Sequence, residues 1–588
     1  MIHAPVPRFL PCAVWRTLRG SLFGALLALH AAVPQAAMAL PAAPAAGAWR
    51  DARPVFAPHA MVVSAQHLAT AVGLDTLRRG GNAVDAAVAI GYALAVVHPC
   101  CGNLGGGGFM TIHMANGQDW FLDFRETAPA RATRDMFLGA DGRVVPGLST
   151  RSWLSVGVPG TVKGLNAALA RLGTLPRGVV MQPAIDLARK GFVLRAGDVA
   201  ILRASEQLLA SQPRAAATFL DHKRVPRVGW RLRQPGLADT LQRIAEQGDR
   251  GFYAGPVARA LVRASRRGGG RLSLADLHDY RVQWGQPLRC EYRGYTVLTT
   301  PPPGSGLVVC EVLRVLAGYP LARWGWGSAR ATHVIAEAER HAFADRDRLL
   351  GDPAFVHDPV HRLLARARID AIRASILPDR ATPSSRVHGA VLVHEGRDTT
   401  QYSVLDAAGN AVSVTYTINS LFGSGLMAGD TGFLLNNEMD DFTSKPGVPN
   451  EYGLVQGSAN AIAAGKRPLS SMCPSIVLKD GRPFMLTGSP GGSTIISTTL
   501  QTVLDVVDFG MNAQQAADAP RMHMQQWPDR IDVEPGYLDP HTRAALRRMG
   551  YTLHARPPWG AAEIILVGAK AIEGANDRRR PAGAAMGD

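Results

Sequence analysis

A threonine two-thirds of the way along the chain opens a series of polar segments that could carry out acyl transfer. Thr399 lies in the segment 398–403 and is followed by Thr417 and Asn419. A threonine hydroxyl needs a base before it can act as a nucleophile, and activated hydroxyls form covalent acyl intermediates. The pattern indicates a nucleophile at Thr399. The alternative interpretation is that Thr399 and Thr400 are ordinary β-strand residues.

Three downstream segments offer groups that suit a substrate with a free amino-acid end. Two carboxylates in an acidic turn match an ammonium group, and a pair of hydroxyls can donate to a carboxylate. A pair of glycines lets backbone N–H groups approach a developing oxyanion, because no Cβ intervenes. These groups belong to Glu438, Asp441, Ser470, Ser471, Gly491 and Gly492.

Other interpretations of these segments fit the residues less well. The turn 436–441 could bind a metal, but its spacing is not that of a calcium loop and neither His nor Cys stands beside it. The glycine segment 488–493 could cradle a phosphate, but it lacks the lysine of a P-loop. The run 105–108 is not a G-x-G-x-x-G motif opening a helix. It is interpreted as a close-packed structural turn.

Together these motifs resemble the γ-glutamyltransferase (γ-glutamyl transpeptidase) family. Further matching motifs lie upstream, in the right order, at 81–87, 103–109, 123–126 and 158–160. The resemblance runs from about residue 55 to the C-terminus. It covers nearly the whole chain that would remain after removal of a signal peptide.

The resemblance implies a set of catalytic roles. Thr399 would be freed as an N-terminal residue by self-cleavage after Asp398, and its own α-amine would then serve as the base. The hydroxyl of Thr417 would hydrogen-bond the nucleophile and hold it in place. Gly491 and Gly492 would form the oxyanion hole.

The resemblance also implies how a γ-glutamyl donor is held. Asn419, Glu438 and Asp441 would bind the donor's α-ammonium group, and position 438 is glutamate here where some members have glutamine. Arg125, Ser470 and Ser471 would bind its α-carboxylate, although Arg125 is far from the serine pair in the sequence. Without the resemblance, an equally good interpretation is that Arg125 forms a surface ion pair.

The implied fold is α+β, the four-layer αββα sandwich of N-terminal nucleophile hydrolases. A large segment (40–398) and a small segment (399–588) would interleave as a heterodimer. The implied substrates are glutathione or related γ-glutamyl compounds, with water, amino acids or peptides as acceptors, and no cofactor or metal. One alternative is a cephalosporin or glutaryl acylase on the same fold. Another is an unprocessed, non-catalytic binding protein.

The elements that would position these residues follow from periodicity and turn signals. The hairpin connection 406–410 joins two of the predicted strands, and the aperiodic segment 445–466 is predicted to be a lid-like loop. The predicted helices are 64–79 and 83–97, and the predicted strands are 109–113, 295–298, 400–405 and 411–417.

Charge and the N-terminus bear on location and partners. The formal net charge is +16, but from Thr399 onward 15 basic and 18 acidic residues give −3. The arginines are scattered and no nucleic-acid motif is present, so nucleic acid is not expected as a partner. Residues 1–39 read as a signal peptide ending at Ala39, which predicts a periplasmic or secreted protein. A retained membrane anchor is the alternative.

Five cysteines follow the predicted signal, an odd number, so at least one thiol is unpaired in a monomer. Cys100 and Cys101 are adjacent, and they could form a vicinal disulfide or remain buried thiols; buried thiols are favoured. The absence of a C-x-x-C pair from the sequence argues against a zinc or redox motif. The remaining three are Cys290, Cys310 and Cys473.

Overall fold

Two seven-stranded sheets form the centre of the protein. The computed structural model describes residues 47–357, 359–387 and 399–588. The predicted signal peptide and Asp398 therefore lie outside the described residues. The strands, in chain order, are β1 (Val55–Ala57), β2 (Met61–Ser64), β3 (Gly107–His113), β4 (Asp119–Asp123), β5 (Phe192–Val193), β6 (Arg231–Leu232), β7 (Gln283–Gly285), β8 (Leu288–Tyr292), β9 (Tyr295–Thr299), β10 (Thr400–Leu405), β11 (Ala411–Thr417), β12 (Ser475–Lys479), β13 (Arg482–Thr487), β14 (Met522–His523), β15 (Ile531–Val533), β16 (Leu553–Ala555), β17 (Glu563–Val567), β18 (Ile572–Asn576) and β19 (Ala584–Gly587).

The order of strands across each sheet mixes early and late parts of the chain. One sheet runs β1-β18-β17-β13-β12-β9-β8, and the other runs β19-β2-β10-β11-β3-β4-β7. Every pairing within these two sheets is antiparallel. Strands from both sides of residue 399 therefore share both sheets.

Helices cover the outer faces of the sheets. They are α1 (His67–Arg78), α2 (Ala83–Val97), α3 (Leu148–Arg151), α4 (Thr161–Leu172), α5 (Arg177–Lys190), α6 (Ala196–Ala204), α7 (Glu206–Ser211), α8 (Pro213–Phe219), α9 (Pro235–Gln247), α10 (Arg250–Tyr253), α11 (Gly255–Arg267), α12 (Leu274–Asp279), α13 (Gly306–Leu316), α14 (Leu321–Trp324), α15 (Ala329–Leu349), α16 (Val360–Leu363), α17 (Arg366–Ser375), α18 (Thr494–Val507), α19 (Ala513–Asp518) and α20 (Pro540–Arg548). Short 3₁₀ turns lie at Ala48–Asp51, Trp153–Ser155, Ser384–Arg386, Glu438–Asp441 and Ser458–Asn460.

The side chains of single strands alternate between two cores, as the period of a β-strand requires. In β12, Ile476 and Leu478 join a core between the two sheets, whereas Val477 joins the core beneath α13, α15 and α18. In β2, Met61 faces the core between the sheets and Val62 faces the core formed with α1, α2 and α5. The layers are therefore helix, sheet, sheet, helix, and the predicted αββα sandwich is confirmed.

The predicted local elements agree with the structure to within two residues, except at one helix start. Strands β10 and β11 and helix α2 have the predicted bounds. The helix predicted from residue 64 begins at His67 instead. Ser64 belongs to β2 and lies opposite Tyr402, so it pairs in the sheet although periodicity assigned it to the helix.

One disulfide joins Cys290 of β8 to Cys310 of α13. Cys100, Cys101 and Cys473 are buried thiols outside any disulfide, so the interpretation of Cys100 and Cys101 as buried thiols is confirmed. The sequence left the pairing of the cysteines open. In the described part of the chain, no helix combines the length and the apolar character needed to cross a membrane.

Candidate active site

Thr399 stands directly before the central strand β10. That strand is hydrogen-bonded to β2 on one side and to β11 on the other, and Thr400 lies opposite Tyr416. The Thr399 side chain is buried, with 4 % of the residue exposed. Its hydroxyl donates to the Thr417 hydroxyl over 3.4 Å. The hairpin therefore brings the predicted nucleophile and its predicted partner together from 18 residues apart.

The end of β11 is held in place by close backbone contacts. Asn419 has a left-handed φ of 75°, which turns the chain so that its N–H donates to Thr417 Oγ1 over 2.8 Å. The Asn419 amide group donates to the carbonyl of Asn437 over 3.0 Å. A Cβ on Gly106 would lie 1.9 Å from the Thr417 carbonyl oxygen, so only glycine fits there. This agrees with the predicted close-packed glycine turn.

The acidic turn Glu438–Asp441 forms a single 3₁₀ turn beside these residues. Both of its outer carboxylates contact Arg125: Glu438 accepts from Nη1 and Asp441 accepts from Nη2. Arg125 is fully buried and also donates through Nε to the carbonyl of Pro468 over 3.2 Å. Arg125 therefore bridges the predicted ammonium-binding carboxylates in this structure, and neither Ser470 nor Ser471 is among its hydrogen-bond partners in the described residues.

Burial controls the ionisation of this acidic cluster. It raises the pKa of Glu438 well above its ordinary value and also raises that of Asp441, although the Arg125 charge opposes both shifts. Burial raises the pKa of Glu126, whose carboxylate lies 3.6 Å from Arg125, to about 8. Three carboxyls share one guanidinium, so the cluster holds protons at neutral pH. A cation that binds here would favour loss of a proton from the cluster, because its charge stabilises the ionised carboxylates.

The serine pair is held by a different arginine. Ser470 is fixed by its backbone, since its N–H donates to the Pro303 carbonyl over 2.7 Å and its carbonyl accepts from Ser305 Oγ over 2.5 Å. Arg346, on α15, donates through Nη2 to Ser471 Oγ over 3.3 Å and through Nε to Ser305 Oγ over 2.9 Å.

Arg346 is the site residue that the sequence reasoning missed. It is buried, and it contacts both Ser471 and Asp347. The sequence shows it only as one of two arginines in the segment 345–348 of a long helix. The available signal was its position on the buried side of α15, one turn after Ala342 and Phe343.

The predicted oxyanion-hole glycines begin the turn into α18. Gly491 and Gly492 have φ values of 138° and 55°, which side-chain-bearing residues rarely adopt. Their carbonyls accept from the Thr494 and Ile495 N–H groups, over 3.1 Å in each case. Within the described residues neither glycine N–H donates a hydrogen bond. Both N–H groups therefore keep their donor capacity, and Gly492 lines the cleft.

A loop closes over these residues. The cleft is narrow, with a cavity volume of about 20 Å³. Tyr452 and Leu454 belong to the predicted lid segment 445–466 and line this cleft. The lid is tied down by Asp440, which accepts from the Glu451 N–H over 2.8 Å and from the Ser149 hydroxyl over 2.6 Å. Burial raises the pKa of Asp440 to about 7.

The cleft brings together most of the predicted site residues. Arg125 and Gly491 do not line it, although Arg125 contacts two residues that do. The predicted residues that line it are Thr399, Thr417, Asn419, Glu438, Asp441, Ser470, Ser471 and Gly492.

The turn 436–441 does not form a metal loop around its two outer carboxylates. Its two outer carboxylates are engaged with Arg125 instead. In the described part of the chain, the group of three His, Cys or carboxylate ligands that lie within 4.8 Å of one another is elsewhere, at His98, Cys100 and Cys101.

The αββα layers, with a threonine at the mouth of a central strand, are those of the N-terminal nucleophile hydrolases. The sequence profile of the family described as Gamma-glutamyltranspeptidase matches residues 69–587. The chain belongs to this family and is an enzyme.

Individual relatives agree with this assignment. The chain is 49 % identical over 546 residues to a glutathione hydrolase proenzyme of Pseudomonas sp. strain A14, covering 91 % of this chain and 95 % of that protein. It is 45 % identical over 550 residues to the glutathione hydrolase proenzyme of Escherichia coli K12, covering 92 % and 95 %. Among solved structures, the cephalosporin acylase from Bacillus halodurans superposes with a TM-score of 0.79 at 27 % identity, covering 91 % and 97 %.

Proposed function

We propose that the enzyme transfers or hydrolyses γ-glutamyl groups of glutathione or related donors, with Thr399 as the nucleophile. The observation that carries the proposal is the contact between the Thr399 and Thr417 hydroxyls inside a cleft that also holds Glu438 and Asp441. The cleft thus contains both the proposed nucleophile and carboxylates that match an ammonium group. A γ-glutamyl donor has its amide and its α-ammonium group at opposite ends.

Maturation comes first. The Thr399 hydroxyl attacks the carbonyl carbon of Asp398, the peptide nitrogen leaves that carbon, and an ester forms. Water then hydrolyses the ester, releasing the 40–398 and 399–588 segments with a free amine on Thr399. That amine is the base, because covalent geometry alone keeps it within hydrogen-bond reach of the Thr399 hydroxyl. The two segments remain together as a heterodimer.

Catalysis then proceeds in two steps. The Thr399 amine takes the hydroxyl proton as Oγ attacks the γ-carbonyl of the donor, and the Gly491 and Gly492 N–H groups donate to the oxyanion. The leaving amine takes up the proton as the C–N bond breaks, which leaves a γ-glutamyl ester on Thr399. Water, an amino acid or a peptide attacks this ester and restores the hydroxyl.

The donor's amino-acid end carries an ammonium group and a carboxylate, and different side chains of the cleft bind each of them. Asn419, Glu438 and Asp441 accept from the ammonium group. Ser470 and Ser471 donate to the carboxylate: Ser471 Oγ already accepts from Arg346, so its own proton can point at the substrate. Arg125 supplies positive charge behind the carboxylates that it bridges.

An acylase is the second candidate, because a cephalosporin acylase shares the fold with a TM-score of 0.79. A glutaryl group has no ammonium, so if this chain were an acylase, Glu438 and Asp441 would face no cation. The higher identity to glutathione hydrolases, 49 % and 45 %, supports the γ-glutamyl activity instead.

Export to an oxidising compartment is part of the proposal. The Cys290–Cys310 disulfide supports it, because structural disulfides persist outside the reducing cytosol. The predicted signal peptide, with cleavage after Ala39, supplies the route.

The test is intact mass and N-terminal sequencing of the purified protein beside Thr399→Ala, with γ-glutamyl and glutaryl anilides assayed in parallel. We expect a wild-type fragment beginning at Thr399, an uncut variant, and preference for the γ-glutamyl substrate. Preference for the glutaryl substrate would favour the acylase. A folded but uncut wild type that binds glutamate tightly would favour the binding protein.

A further inference from the structure

The turn after α2 gathers three side chains that the acyl-transfer mechanism does not use. Helix α2 ends at Val97, and the His98 carbonyl then accepts from the Cys101 and Gly102 N–H groups over 3.1 and 2.9 Å. This turn folds Cys100 and Cys101 back beside the His98 ring. All three residues are buried, with 1 to 2 % of each exposed.

The spacing of their donor atoms suits a single metal ion. The His98 nitrogen and the two sulfurs all lie within 4.8 Å of one another, and Cys100 Sγ is 3.3 Å from His98 Nε2. Metal–sulfur bonds of ~2.3 Å and metal–nitrogen bonds of ~2.0 Å place ligand atoms roughly 3.5 to 4 Å apart around one ion. Small side-chain rotations would bring the three atoms to these separations.

The turn is held rigidly, as a metal site needs. The Cys100 carbonyl accepts from the Phe422 N–H over 2.8 Å, and the Cys101 carbonyl accepts from the Asn103 amide over 3.0 Å. A Cβ on Gly102 would lie 2.3 Å from the Leu94 carbonyl oxygen, so the turn packs directly onto the end of α2. These contacts fix the backbone positions from which the three ligand side chains extend.

We propose that His98, Cys100 and Cys101 form a binding site for a soft monovalent metal ion of the Cu⁺ class, held by one imidazole nitrogen and two thiolate sulfurs. Thiolate ligands select soft ions such as Cu⁺, and imidazole is compatible with copper. Both thiols release their protons to solvent as the metal–sulfur bonds form. No oxidation or reduction takes place.

Ligand number and charge distinguish Cu⁺ from Zn²⁺. Structural Zn²⁺ takes four protein ligands, and this group offers three in the described part of the chain. Cu⁺ with two thiolates and a neutral imidazole carries a charge of −1. Arg580 lies beside the site, with Nη1 3.8 Å from Cys101 Sγ, and its positive charge balances that excess. With Zn²⁺ the site would be neutral, so the nearby Arg580 charge would stabilise it less.

The test is a Cu⁺ titration of the mature protein under anaerobic conditions, in competition with the chromogenic chelator bicinchoninate. We expect wild type to withdraw one equivalent of Cu⁺ per chain and the Cys100→Ala/Cys101→Ala double variant to withdraw none. Cys473→Ala is the matched control, since it removes a free buried thiol outside the group, and it should bind as wild type does. Copper X-ray absorption should report two sulfur ligands and one nitrogen ligand.

A second variant keeps the test decisive if the double variant fails to fold. His98→Gln keeps both thiols, and we expect it to bind Cu⁺ at least tenfold more weakly. Equal withdrawal by wild type and either variant would overturn the proposal. So would a Cys100–Cys101 disulfide found by mass spectrometry in the native protein, or one equivalent of tightly bound Zn²⁺ that Cu⁺ does not displace. Thermal unfolding of each variant separates loss of the site from loss of the fold.

Discussion

Replacing Glu438 with glutamine should weaken recognition of the donor's ammonium group and leave the rest of the cleft unchanged. Glu438 Oε1 accepts from Arg125, whereas Oε2 is buried without a hydrogen-bond partner in the described part of the chain. Oε2 is therefore the atom available to the ammonium. A glutamine has one oxygen, so its NH₂ group must face either Arg125 or the ammonium, and one charge-assisted bond is lost.

The size of the effect follows from that single bond. A hydrogen bond to a charged group contributes about 2 kcal/mol, which corresponds to roughly a 30-fold loss in kcat/KM. The measurement is initial rates of γ-glutamyl anilide hydrolysis by wild type and Glu438→Gln. A glutaryl anilide is the control substrate. It lacks the ammonium group, so its kcat/KM should not fall.

The pH dependence supplies a separate check on the same reasoning. Burial raises the pKa of Glu438 above its ordinary value, and the ionised carboxylate is the form that attracts the ammonium. For wild type, kcat/KM should therefore rise as pH rises through this titration, and the rise should be smaller in Glu438→Gln. An unchanged kcat/KM for the γ-glutamyl substrate, or the same pH slope in both proteins, would refute this role of Glu438.

Three further predictions concern stability and the oxyanion hole. Reducing the Cys290–Cys310 disulfide, which closes a loop of 20 residues, should lower the free energy of unfolding by about 3 kcal/mol, measured by denaturant titration. Burial raises the pKa of Asp505 to about 8, so its folded form keeps a proton that the unfolded form loses. Wild-type stability should therefore fall with a contribution of up to ~1.4 kcal/mol per pH unit from about pH 4 to 8, and Asp505→Asn should remove that contribution from thermal unfolding measured across this range. Gly491→Ala would place a Cβ 2.6 Å from Thr494 Oγ1 at a φ of 138°, and kcat should fall about 100-fold.

Each of these has its own control. Cys473→Ser leaves the disulfide intact, so reduction should destabilise it as much as wild type. Equal pH slopes in wild type and Asp505→Asn would mean that Asp505 is already ionised in the folded protein. Gly409→Ala is matched to Gly491→Ala because Gly409 also has a positive φ, 92°, with open space around it. It should lose stability and keep its kcat, and an equal loss of kcat in both would contradict the oxyanion role.

Local patterns in the sequence were sufficient to predict the elements closest to the candidate nucleophile. The hairpin of β10 and β11 has the predicted bounds because alternation and a turn of glycine and asparagine specify it within 18 residues. The start of α1 was wrong because Met61–Ser64 is taken up by β10 and β19, which follow more than 300 residues later. Such long-range pairing leaves no mark in a local window.

The same distinction separates predicted from missed site residues. The resemblance supplied Arg125, but contact with Glu438 and Asp441 instead of the serine pair emerged only from packing. Arg346 reaches Ser471 across 125 positions, and its helical segment looks like any other arginine-bearing helix. The Cys290–Cys310 pair likewise depends on β8 lying against α13.

The position of β10 between β2 and β11 determines what a cut before Thr399 would do to folding. The two products would stay joined by the hydrogen-bond ladders of β2 with β10 and β19 and of β3 with β11, so dilution would not separate them. Refolding after full denaturation would nevertheless change from a unimolecular to a bimolecular reaction, since the covalent link and its effective concentration would be gone. Cleavage would thus make unfolding practically irreversible, and the lifetime of the mature enzyme would depend on its unfolding rate and not on its equilibrium stability.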